Sequence, residues 1–233
     1  MKVSAIKTRL FKEREALERF IAQHIPKLKN GSILAVTSKI IALSEGRTAN
    51  GKDEAKLIRI ESDWVMPTRY GSLTLKDGLL MWNAGIDESN AKGKIVLLPK
   101  DSFTAATKLR SALKKYYHIK KLGIVITDSR IMPLRAGVVG VALGYAGFKG
   151  LRDYRGKKDL FGRKLKFTQT DVADSLATAA TLAMGEGSER RPLAIITDAP
   201  VAFSGKINKN ELRISLEDDM YRPLFKTTKR KKK

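Results

Sequence analysis

The chain contains no cysteine, which excludes a disulfide framework and a thiolate nucleophile and fits an expected cytoplasmic location. Histidine is almost as scarce. His24 and His118 are the only two, and neither stands in a polar cluster, so a zinc-hydrolase centre and a Ser-His-Asp triad are not expected. No apolar run approaches the ~20 residues of a membrane-spanning helix. The first ten residues lack the apolar core of a secretory signal. There is no G-x-x-x-x-G-K-[ST] loop and no strand–G-x-G-x-x-G–helix unit, so neither common phosphate-cradling motif is present.

Negative charge is also in short supply. Against 46 Lys+Arg stand 24 Asp+Glu, a net charge of +22 over 233 residues. Such an excess suits nucleic acid, anionic small molecules, or simply a basic source proteome. The last eight residues, KTTKRKKK, hold six of the cations. They are expected to form a disordered basic tail (226–233), the one place where nucleic acid would be contacted, behind a single domain at 1–225.

Hydrophobic patterning predicts alternating elements. Val3–Ile6 is an edge-strand candidate, and residues 12–24 read as an amphipathic helix with Leu17, Phe20, Ile21 and His24 on one side. His24 is expected to be a helix-end residue. Residues 32–37 form a buried strand, with Ser38-Lys39 leading into a short helix. A helix over 53–60, a loop over 67–71 and a hairpin over 72–83 turning at Lys76-Asp77-Gly78 follow. Strands are expected near 95–98, 122–127, 138–148, 165–168, 193–197 and 211–216. Helices are expected from Asp101 or Ser102 to Tyr117, and from Asp171 to Met184 behind a Thr170 cap. Helices and strands alternate irregularly and hairpins intrude, so the expected class is α+β (mixed α/β), not a regular doubly wound sheet.

Residues 124–163 organise the chain. An apolar strand runs into Asp128-Ser129, and seven of the 18 glycines follow between Gly137 and Gly162. Glycines at 137, 140, 144 and 147 fit either a close helix contact or a strand in which Val139, Val141, Leu143 and Tyr145 share a face. The β-branched residues favour the strand. Asp87, in the irregular NAGIDESN segment, and Asp128 stand out by position. With Ser129 and a third acidic residue they could hold a hard divalent cation beside phosphates. The alternative is that both are caps or turn formers.

Five segments, taken in order, carry a resemblance. They are VTSKIIALSEGR, WNAGIDESN, ITDSR…PLRAGVVGVALGYAG, DYRGKKDLFGRKL and DVADSLATAATLAMGEG. Together they resemble the coenzyme F-420:L-glutamate ligases (F-420-0:γ-glutamyl ligases), a family with bacterial relatives assigned to folate metabolism, over about Val3 to Thr197. The resemblance implies an F-420 ligase-like fold of mixed sheets and packed helices. It also implies a homodimer and a GTP-dependent amide synthetase using Mg²⁺ or Mn²⁺. GTP would phosphorylate the carboxylate of an anionic acceptor, and L-glutamate would attack the acyl phosphate. The acceptor would be F-420-0 or a folate-like molecule.

Carried over by residue, the resemblance implies that Asp87, Asp128, Ser129 (where a threonine is usual) and Glu186 (where a glutamine is often found) bind metal. Ser38, Lys39, Asn90, Gly185, Gly187 and Arg190 would contact the nucleotide, and Thr8–Phe11 would lie near it. Three departures stand out. Leu43 replaces a usual lysine, Ile131-Met132 replaces a usual Gly-Arg, and the segment between Arg47 and Ser72 is short. Other lysines would then serve the nucleotide, and a different acceptor becomes plausible. Two rival readings remain: a basic nucleic-acid-binding protein, and a nucleotide-binding, non-catalytic paralogue for which Leu43 is the argument.

Overall fold

The computed structural model describes residues 1–89 and 93–225; Asn90 and the basic tail lie outside the described residues. In chain order the elements are β1 (Lys2–Ile6), α1 (Leu17–His24), β2 (Ser32–Thr37), α2 (Ser38–Ser44), β3 (Thr48–Asn50), α3 (Glu54–Glu61), β4 (Trp64–Thr68), β5 (Gly71–Lys76) and β6 (Leu79–Trp82). There follow β7 (Lys94–Val96), α4 (Ser102–Tyr116), β8 (Leu122–Ile131), β9 (Val138–Ala146), β10 (Leu151–Asp153), β11 (Gln169–Asp171), α5 (Val172–Met184), β12 (Leu193–Thr197) and α6 (Arg222–Phe225). The architecture is α+β with mixed sheets, divided into two compact units. One is Met1–Gly46 with Pro99–Glu211, the other Arg47–Leu98 with Leu212–Lys233.

The larger unit is built on a five-stranded sheet of order β1-β12-β2-β8-β9. β2 and β8 are parallel, and every other pairing is antiparallel. Leu34, Val36, Leu122, Ile124 and Ile126 join α1, α2 and α4 in one core on one face. Their neighbours Ile33, Ala35 and Val125 are equally buried. The strands therefore read as continuous apolar runs, because both faces are covered. Each of the Leu, Ile and Val side chains contributes about 1.5–3 kcal/mol of burial.

β9 does not alternate as its sequence suggests. Ile126 pairs with Gly144 but Thr127 pairs with Ala142, so Leu143 is an extra residue in a β-bulge. The bulge reverses which face each residue meets. A Cβ on Gly140 would meet Thr181 and the Ala177 carbonyl of α5, whereas one on Gly144 would meet Ser102 and Phe103 of α4. These glycines serve close helix–sheet packing.

The smaller unit contains the antiparallel sheet β4-β5-β6, the pair β3-β7 and α3. Its core is small: Ile58, Ala84, Ile86, Ile95 and Leu97. The hairpin turn is tighter than expected. Lys76 pairs with Leu79, leaving the two residues Asp77 (φ 52°) and Gly78 (φ 80°), the signature of a type I′ turn.

Five further expectations about the elements need correction. The first helix starts at Leu17 and not at Lys12, because Arg14 is left-handed (φ 61°) and Glu15 turns back to take the Lys12 N–H (3.1 Å) and pair with Arg9. The expected loop at 67–71 begins in β4, where Pro67 is tolerated because β4 is an edge strand. Residues 165–168 are not a strand; the pairing is made by Gln169–Asp171. The cap of α5 is Asp171, one residue after Thr170, and its carboxylate accepts the Asp174 N–H at 2.9 Å. Residues 211–216 are turns and irregular chain, with the Glu211 carboxylate accepting from the Tyr145 hydroxyl (2.6 Å) and the Gly150 N–H (2.7 Å).

Candidate active site

In the larger unit the parallel pairing of β2 with β8 ends at Thr37 and Thr127. Both chains place polar residues immediately beyond. Ser38 opens α2, and its hydroxyl donates to Asp128 Oδ1 at 2.9 Å. β8 itself continues to Ile131, so Asp128 does not end the strand. What ends there is the burial: residues 122–127 are buried and Asp128 is half-exposed. Successive strand residues face opposite ways, and Ser129 accordingly donates to a different partner, Glu186 Oε1, at 2.7 Å. Glu186 follows Gly185, which ends α5 with φ 82°.

The loop after α5 belongs to the same end of the sheet. The Thr8 N–H, just past β1, donates to the Arg190 carbonyl at 2.9 Å, and the Thr37 N–H donates to the Pro192 carbonyl at 3.0 Å. The Gly187 N–H is held by Glu189 Oε2 (2.8 Å). Thus Thr8, Ser38, Lys39, Asp128, Ser129, Gly185, Glu186, Gly187 and Arg190 gather beyond the C-terminal ends of β2 and β8. That is where open α/β sheets bind ligands. The neighbouring Arg9 is committed to Glu15, whose carboxyl the guanidinium holds down at about 2. His24 accepts the Arg9 N–H through Nε2 (3.3 Å) and meets the Phe20 carbonyl through Nδ1 (2.8 Å), a helix-end role.

Two features escaped sequence reasoning. Arg130 is half-buried; burial pulls its pKa down while the charges of Asp174 and Asp128 oppose the shift. The N–H of Ala142, beside the bulge, is taken by Asp174 Oδ1 at 2.8 Å. Only the bulge reveals why an acid is needed at 174, and nothing in the sequence marks the bulge.

Asp87 belongs to the smaller unit. Asn83, Ala84 and Gly85 are all left-handed (φ 47°, 56° and 69°). Asn83 Oδ1 accepts the Ser72 N–H (2.8 Å), and Thr74 Oγ1 accepts the Ala84 N–H (2.8 Å). This bend returns the chain so that Ile86 enters the core and Asp87 exchanges backbone hydrogen bonds with Val96 (3.0 and 2.8 Å). The Asp87 carboxylate also accepts the Ser89 N–H at 2.6 Å, so it forms a turn whatever else it does.

The mixed-charge loop between β10 and β11 satisfies much of its charge internally. Asp153 pairs with Arg155, and Asp159 accepts the N–H groups of Phe161 and Arg163, each at 2.9 Å. Among the described residues no group of three or more His, Asp or Glu side chains is assembled around one point. No helix among them is long and apolar enough to cross a membrane.

Residues 52–198 match the F420-0:gamma-glutamyl ligase family. The chain is 42% identical over 147 residues to a coenzyme F420:L-glutamate ligase of Methanococcus maripaludis, a match covering 63% of this chain and 58% of that protein. It is 37% identical to one of Methanocaldococcus jannaschii, over 73% of this chain and 66% of that protein. These matches thus span less than two thirds of the relatives' lengths. To one of Archaeoglobus fulgidus it is 33% identical, over 93% of this chain and 94% of that protein.

Proposed function

The chain belongs to the F420-0:gamma-glutamyl ligase family, and on that premise we propose that it joins L-glutamate to a carboxylate of an anionic acceptor through an amide bond. The relatives' names make F420-0 the first acceptor to test, and a folate-like acid is the second. GTP is the proposed phosphoryl donor. An acceptor carboxylate oxygen attacks the γ-phosphorus and GDP leaves. The glutamate amine then attacks the acyl carbon, losing a proton as the C–N bond forms and phosphate departs.

The observation that carries this reading is the pair of hydrogen bonds, Ser38 to Asp128 and Ser129 to Glu186, that gathers hard oxygens at one end of the sheet. Their oxygens are hard donors, which suits Mg²⁺ or Mn²⁺. Asp128 on one face of β8, and Ser129 with Glu186 on the other, are the residues proposed to hold such ions separately, and Asp87 carries that role from the resemblance alone. A bound ion supplies positive charge against the phosphates. Ser38 orients the Asp128 carboxylate, while Lys39, Gly185, Gly187 and Arg190 are the proposed nucleotide contacts. Leu134, Leu160 and Phe161 are almost fully exposed, which supports a homodimer, since large apolar side chains in solvent commonly mark an interface. The absence of cysteine supports the cytoplasm.

Asp128→Asn tests this reading. The substitution keeps size and turn-forming ability but removes the charge. Glutamate- and GTP-dependent phosphate release with F420-0 or a folate-like acceptor is expected to fall on the order of 100-fold, equal to about 2.7 kcal/mol, with the melting temperature unchanged. A variant that ligates at the parent's rate would remove Asp128 from the mechanism.

A further inference from the structure

The opposite end of β2 and β8 carries a second built feature. Each strand rises about 3.3 Å per residue, so six residues separate this end from the candidate active site by about 20 Å. Residues 25–31 lead into β2, and residues 114–121, the last turn of α4 and the loop after it, lead into β8; the two segments are fastened together. Asn30 Oδ1 accepts the N–H groups of Lys120 (3.0 Å) and Lys121 (2.7 Å). The Gly31 N–H donates to the Lys121 carbonyl (2.8 Å), and the Tyr117 hydroxyl donates to the Ile25 carbonyl (2.5 Å). Between the segments lies a groove of about 640 Å³ whose lining includes Lys27, Lys29, Tyr116, Tyr117 and Ile119.

The two segments contribute Lys27, Lys29, Lys114, Lys115, Lys120 and Lys121, and contain no carboxylate. All but Lys114 are exposed. A lysine cluster alone is usually just a solvated face. Here an aromatic ring stands among the cations. Tyr116 is 60% exposed and is braced edge-on by Tyr117, with ring centroids 4.9 Å apart. Cations that track a phosphate backbone, beside an aromatic face that stacks a base, are the two components of single-strand recognition. The hydrogen bonds between the segments fix the groove in advance, so little ordering entropy opposes binding. We propose that this groove binds single-stranded polynucleotide, with a base on Tyr116 and phosphates on the lysines, independently of the ligase site and of the C-terminal tail.

The test uses the full-length protein and a fluorescent single-stranded RNA of about 12 nucleotides, a length that spans sites of this kind. Anisotropy titrations are run at several salt concentrations. Changing Lys27, Lys29 and Lys120 together to Gln is expected to weaken binding and flatten the log–log salt slope by about 2, at roughly 0.7 per lost phosphate contact. Tyr116→Ala is expected to weaken binding on the order of 10-fold with the slope kept, and Tyr116→Phe to bind as the parent does. Ligation by all three variants is expected to stay normal. Three results would overturn the proposal. The first is no RNA binding by the parent, or binding that the lysine variant retains in full. The second is binding abolished only when the tail's Lys and Arg residues are changed to Gln. The third is an indifferent Tyr116→Ala together with equal, lysine-dependent binding of polyphosphate or anionic vesicles, which would mark a surface that reads charge alone.

Discussion

The larger unit hides apolar side chains on both faces of a five-stranded sheet, and charged groups such as Arg130, Asp171 and Asp174 are only half-buried there. The smaller unit has a core of Ile58, Ala84, Ile86, Ile95 and Leu97 and relies on an ionic clamp instead. Glu61 Oε2 accepts from Arg47 and from Lys76, each at 2.8 Å, tying the ends of α3 and β5 to the chain at β3. Glu61 and Lys76 keep only 13% of their side-chain surface exposed. Burial would raise the Glu61 pKa, but the hydrogen bonds from Arg47 and Lys76 outweigh it and hold the carboxyl below its ordinary range. A small unit cannot bury enough apolar surface to be indifferent to such a pair. The contrast is between a unit held by area and a unit held by a few directed contacts.

The largest expected effect breaks the clamp. Glu61→Gln leaves two cations together without their anion, which costs about 2–4 kcal/mol after allowing for partial exposure. Amide exchange should quicken in α3 and β5 and stay unchanged in β2 and β8. Equal protection throughout would mean that the smaller unit is also held by area. The sign in pH follows from the lowered pKa. The clamp contributes fully above the ordinary Glu range and is lost as pH falls through the folded value.

Gly140→Ala attacks the area-held unit. The added methyl would face Thr181 and the Ala177 carbonyl, backbone that cannot step aside. Overpacking of this kind costs about 1–3 kcal/mol, with α5 and β9 losing protection. A neutral result would show that α5 lies less tightly on the sheet than the contact implies.

Much of the larger unit could be read directly. Runs such as Ser32–Thr37 and Leu122–Thr127 are strands with both faces covered, and Asp101 announces α4. Asp128 stands out by position, where the buried run of β8 ends, whereas Ser38 enters the site only through the family resemblance. Their mutual hydrogen bond was not legible, because 90 residues separate them. The misreadings share a cause. The Arg9–Glu15 pair shortened α1, the extra residue Leu143 reversed the faces of β9, and Asp171 outcompeted Thr170 as a cap. In each, a tertiary or single-residue contact decided what periodicity could not see.

The smallest expected effect sharpens the comparison by asking whether charge can oppose the fold where area holds it. Asp171 caps α5 with Asp174 beside it. Burial, with the neighbouring Asp174 charge, raises its pKa from 3.8 to about 6, although the Asp174 and Ala173 N–H groups favour the ionised form. A carboxyl whose folded pKa lies above its unfolded one stabilises fully below about 3.8 and loses that contribution as pH rises through about 6. At pH 7.5 the folded protein therefore carries an ionised, half-buried carboxylate next to a second one. Asn caps a helix as well as Asp does, so Asp171→Asn keeps the acceptor for the Asp174 N–H and removes the charge. The variant should be more stable than the parent at pH 7.5 by about 1 kcal/mol, discounted for partial exposure. The gain should shrink between pH 6 and 4 and vanish below. Urea midpoints at pH 7.5, 5 and 3.5 read this out. A gain independent of pH would mean that Asp171 does not titrate in this window. A loss at pH 7.5 would mean that the negative charge at the start of α5 is worth more to the helix dipole than its burial costs, and both units would then be held in part by charge.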